Sequence, residues 1–92
     1  MQALTNFGLT LKFPLATLSY SPKPTLLHSD HAKRYLIKLK GIPSFISEEH
    51  FAYVVKTYMK RKGFTAIAIN KSSESLSKWN AHVSFYDPFH KI

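Results

Sequence analysis

Lys78, Asn80 and His82 recur at every second residue of SKWNAHVSFYDP, the stretch from Ser77 to Pro88. In an extended chain this spacing places a cation, an amide and an imidazole on one side, with Ser84 beyond them. The cation can neutralise a phosphate, the amide can meet a base edge, and the imidazole can offer a flat ring. Lys38 and Lys40 repeat the pattern in Tyr35-Leu36-Ile37-Lys38-Leu39-Lys40. If the two runs pair, these five side chains form one basic, hydrogen-bonding sheet face. Lys71, in a polar stretch between them, would extend the track. The plain alternative is a solvated face, which any half-buried sheet requires.

The elements that must position these groups are legible from periodicity. Tyr35, Ile37 and Leu39 share the face opposite Lys38, and Gly41-Ile42-Pro43 ends that strand. A helix follows. Ser47 is a good N-cap, and Glu48 and Glu49 sit where the helix dipole favours acids. Phe51, Val54, Val55, Tyr58 and Met59 form one apolar stripe, Lys60, Arg61 and Lys62 fill the last turn, and Gly63 is the stop. Phe64–Asn70 reads as a second strand, residues 71–77 as a polar loop, and Trp79–Tyr86 as a third strand walled by Trp79, Ala81, Val83 and Phe85. The order from Tyr35 onward is β-α-β-β, with no internal repeat.

Residues 1–34 differ in character. They are rich in Leu, Thr, Ser and Pro, and Asp30 is their only acid. That fits a mitochondrial targeting segment in hydroxyls and acids but is short of arginine. An ordered extension is the other reading. Leu9–Phe13 alternates like a strand that Pro14 would stop, and Pro22 and Pro24 mark an extended linker. The division is therefore an extension or targeting segment over 1–34 and a domain over 35–92.

Composition bounds the rest. Ninety-two residues suit one small domain, and 45% hydrophobic content with seven Phe indicates a packed core. The chain has no cysteine, so it forms neither disulfides nor a cysteine zinc site. No apolar run is long enough to span a bilayer, so no membrane is expected. Thirteen Lys and Arg against five Asp and Glu give a formal charge of +8, which favours a polyanionic partner.

These residues resemble the RNA recognition motif family, a β-α-β-β-α-β sandwich. Lys78-Trp79-Asn80-Ala81-His82-Val83-Ser84-Phe85 matches the family octamer at Lys78, Ala81, Val83 and Phe85. Ile37 to Ile42, followed by Pro43, matches the family hexamer at Ile37, Leu39, Ile42 and the proline. Ser47-Glu48-Glu49 before Phe51 is similar to the family's entry into its first helix. The resemblance covers roughly residues 35–87. It implies an α+β, ferredoxin-like RNA-recognition-motif sandwich, incomplete as β-α-β-β, behind an N-terminal extension. It also implies single-stranded RNA as ligand, at Lys38, Lys40, Lys71, Lys78, Asn80 and His82. Where the family stacks bases on aromatic side chains, this chain has Lys38, Asn80 and His82. A short mitochondrial branch of the family also carries Ile-Pro after its first strand, like Ile42-Pro43. It implies a mitochondrial location and a helical-repeat partner, with nuclear or cytoplasmic locations as alternatives.

Four residues follow Pro88, too few for a second helix and fourth strand, so the Tyr35 strand is expected to be an edge. Leu9–Phe13 or a partner chain could cover it, or the chain could be a shortened product with impaired folding. A protein-binding adaptor, or a small subunit of a ribonucleoprotein assembly, is therefore the alternative function. No cofactor is implied. His28-Ser29-Asp30-His31 offers metal-ligand types without a convincing fourth ligand. Acylphosphatases share this class of sandwich, but their Gly-rich loop with its Arg is absent. Nothing resembles a nucleophile arrangement, and no enzyme is expected.

Overall fold

The computed structural model describes residues 8–29 and 33–88. Its elements run β1 (Leu9–Phe13), β2 (Ala16–Tyr20), β3 (Thr25–Ser29), β4 (Lys33–Pro43), α1 (Glu48–Arg61), β5 (Thr65–Glu74) and β6 (Lys78–Asp87). The architecture is α+β. An antiparallel four-stranded sheet has the order β3-β4-β6-β5, and β1 and β2 form a separate antiparallel hairpin.

Each element follows from its residues. β6 alternates as expected, with Trp79, Ala81, Val83 and Phe85 buried. In α1 the Ser47 hydroxyl accepts from the His50 N–H at 3.0 Å. Glu48 and Glu49 occupy the first turn, and Gly63, at φ 93°, follows the last. Phe51, Val55 and Met59 are fully buried, and Val54 and Tyr58 pack beside them.

One face of the sheet is covered by α1 and the hairpin. A chain of rings ties these three layers together. Phe13 of β1 stacks on Phe51 of α1 at 6.1 Å, and Phe51 meets Trp79 of β6 edge-on at 5.1 Å. The Trp79 indole N–H donates to the Ile46 carbonyl at 3.2 Å. Leu9, Leu11 and Phe13 all lie in the core.

Several expectations are corrected. The Tyr35 strand is not an edge along its first half, because Thr25–Leu26 pair with Leu36–Tyr35 and His28–Ser29 with Arg34–Lys33. Leu9–Phe13 is a strand, but it pairs with β2 and leaves the sheet edge to β3. Gly41 does not end β4. At φ 70° it sits in a bulge between Leu39 and Ile42, and pairing resumes to Pro43. The stretch 71–77 is not all loop, since β5 runs on to Glu74 past a bulge between Lys71 and Ser73. The order is thus β-β-β-β-α-β-β.

Candidate nucleic-acid interface

β4 and β6 are the inner strands, so their outward side chains form the centre of the open face. Lys38 stands opposite His82, and His82 opposite Asn70 of β5. A lysine, an imidazole and an amide thus cross three strands in one row, neighbours ~5 Å apart. Lys38, Lys40, Ser72, Asn80 and His82 line a shallow hollow of about 200 Å³. Lys38 and Lys40 also border a second hollow of about 290 Å³, whose far wall is Tyr20, Ser21 and Pro22. The Tyr20 hydroxyl donates to the Lys40 carbonyl at 3.0 Å, so the hairpin is clipped to β4 there. Burial pushes the Tyr20 phenol above its ordinary value.

Five of the six expected site residues share this face. Lys78 stands at its end, opposite Pro43. Asn80 is on the face, but its amide is occupied. Its Oδ1 accepts from the Gly41 N–H at 3.0 Å and its Nδ2 donates to the Ser73 hydroxyl at 2.9 Å. It joins the two bulged strands across β6, so its first role is to hold the lysines in place. Lys71 is the exception. It lies opposite Ala81, whose side chain is in the core, and so it points to the helix side. There it pairs with Glu48 at 3.0 Å and Glu74 at 3.3 Å and lies 5.6 Å from the Trp79 ring centroid. Hydrogen bonding to Glu48 leads the effects that raise its pKa. Lys71 does not extend the track. Lys71 continues the period of two from Ile69, which stands opposite Val83, and the bulge comes only after it.

Two functional candidates were missed. Tyr86 continues the alternation of Lys78, Asn80, His82 and Ser84 and shares their face. Arg34 stands opposite it on β4. The guanidinium lies 4.8 Å from the Tyr86 ring centroid and donates to the Ser84 hydroxyl at 2.8 Å. Extending the period of two to the strand's end would have found both.

Charge is sorted between the two sides. Among the described residues, no acid stands on the open face. Glu48 and Glu49 open α1, Glu74 lies opposite Trp79 and pairs with Lys71, and Asp87 is buried opposite Lys33. Among the described residues, no cluster of three or more His, Asp or Glu is placed to hold a metal ion. Asp30 and His31, and the side chain of His28, lie outside the described residues. No described helix is long and apolar enough to cross a membrane. No protein-family model, curated protein or solved structure matches the chain.

Proposed function

We propose that the chain binds single-stranded RNA across the open face of its four-stranded sheet. The observation that carries this reading is the sorting of charge. Arg34, Lys38, Lys40 and Lys78 share a face with His82 and Tyr86, and no described acid is among them. Cations give affinity for phosphates and release counterions, and flat rings give stacking surfaces that tolerate any base. Lys38 and Lys40, on the ridge between two hollows, take the backbone. His82 and the Arg34–Tyr86 stack take bases.

The resemblance to the RNA recognition motif gains a structural rationale under this reading. In that family the final strand lies beside the first, and a second helix covers the sheet. Here β3 runs antiparallel to β4 at the corresponding edge, and the hairpin fills space on the covered side. Under this reading β3 stands where the motif has its final strand.

Fluorescence anisotropy with a mixed single-stranded RNA pool over a salt series tests the proposal. Binding should weaken steeply with salt. Lys38→Gln and Lys78→Gln should each lower the log–log slope by about 0.7, one phosphate contact per lysine. Unchanged affinity and slope in the double variant would refute it.

A protein-binding adaptor is supported by a different place. Leu15 is 84% and Phe45 61% exposed, and both line a small hollow with Phe13, Pro14, Ile46 and His50. A protein partner would seat there and leave the sheet edge alone. Phe45→Ser would then abolish that complex and leave RNA affinity intact.

A further inference from the structure

A groove of about 370 Å³ lies on the covered side of the sheet, between β1 and the outer surface of α1. Thr10 and Lys12 of β1 form one wall, and Tyr53, Thr57 and Arg61 are on the other. Val54 and Tyr58 complete the lining, so the groove mixes two cations and two threonine hydroxyls with two phenol rings and an aliphatic side chain, and Tyr53 is 71% exposed. The acids of α1 are confined to its first turn at Glu48 and Glu49. Arg61 is twelve residues beyond Glu49, ~18 Å along the axis. The Arg61 end of the groove is therefore electropositive.

A basic last turn by itself needs no ligand, because it complements the helix dipole. Lys12 has no such explanation. It belongs to a strand of the hairpin, yet it lines the same groove as Arg61. Two cations from separate elements along one groove, with no acid in its lining, suit an extended polyanion.

The hairpin lies between the groove and the hollow beside the open face. The hollow beside Lys38 and Lys40 is walled by Tyr20, the last residue of β2. From there the outward side chains of the hairpin are exposed hydroxyls: Ser19 opposite Thr10, and Thr17 opposite Lys12. Crossing from β2 to β1 is one strand spacing, ~4.8 Å. A polar path thus leads over the hairpin from one basic site to the other.

We propose that the groove is a second phosphate site for the same single-stranded RNA, which leaves the sheet face over β2 and ends against Lys12 and Arg61. This rests on the sheet-face reading above. It assigns the groove to a polyanion long enough to turn the corner. A strand that fills only the sheet face does not reach it.

The test compares oligouridylates of about four and about twelve nucleotides. Anisotropy is read over a potassium chloride series with the whole chain. In the Lys12→Gln/Arg61→Gln variant, the longer oligomer should lose affinity, and its salt slope should fall by about 1.4, at 0.7 per phosphate contact. The shorter oligomer should bind as to the unaltered chain. Both side chains are exposed, and an unchanged melting midpoint verifies the fold. Lys56→Gln/Lys60→Gln removes equal charge from α1 outside the groove and should leave the slope for both oligomers unchanged. An unaltered slope for the longer oligomer, or equal loss for both lengths, overturns the second site while the sheet-face reading stands. Failure of the unaltered chain to bind the short oligomer overturns both.

Discussion

Asn80 uses both ends of its amide on the protein itself, at Gly41 and at Ser73. Replacing it by Ala leaves the Gly41 N–H without that acceptor and frees two bulges to move. Asn80→Ala should therefore lower unfolding free energy by ~1–3 kcal/mol, read from urea denaturation followed at Trp79, the chain's single tryptophan. Tyr86 is the opposite case, a side chain whose ring serves the surface. Base stacking on an aromatic contributes ~1–3 kcal/mol. Tyr86→Ala should weaken RNA binding by that amount with no change in salt slope, whereas Tyr86→Phe should bind nearly as the unaltered chain. Anisotropy at one fixed salt concentration, then over a series, separates the two terms. A lost slope would mean that Tyr86 acts through the neighbouring Arg34.

At the scale of elements, the Tyr20 clip makes hairpin docking sensitive to alkali. Burial raises the Tyr20 pKa, so the folded state favours the neutral phenol that donates to Lys40. Its contribution is complete below the ordinary phenol pKa and is lost as pH rises through the folded value. As pH rises above the ordinary phenol value of about 10, the unaltered chain should lose more stability than Tyr20→Phe, which has no proton to release there. Urea midpoints taken below and above that value supply the comparison. α1 and β6 were readable in the sequence because cap, stripe and alternation agreed, and the same alternation gave five of the six site residues their shared face. β2 alternates too, as Ala16, Leu18 and Tyr20 against Thr17 and Ser19, but it is only five residues long between proline signals. β3 carries a register shift between Leu26 and His28, which breaks the period of two. Lys71 differs for another reason: the polar run 71–77 reads as a loop, whereas β5 runs on through it and the period of two from Ile69 turns Lys71 to the covered side.

For the whole molecule, the segment before residue 35 supplies structure that the remainder lacks. Leu9, Leu11 and Phe13 are buried against α1 and the sheet. Burying each such side chain contributes ~1.5–3 kcal/mol. Their sum rivals the ~5–15 kcal/mol by which small domains are stable. A chain lacking residues 1–22 should therefore lose its cooperative thermal transition and its native Trp79 emission, even though the sheet and α1 remain encoded. Retention of both would make the hairpin an appendage. The molecule that results carries its described acids on the covered side or buried at the sheet's end, and leaves one sheet face basic. Amide chemical-shift mapping with a four-nucleotide single-stranded RNA tests that central claim most directly. The account predicts shifts concentrated at Arg34, Lys38, Ser72, His82, Ser84 and Tyr86, with little change at Leu15, Phe45 and Glu48. Shifts centred on Leu15 and Phe45, or none at low salt, would contradict it.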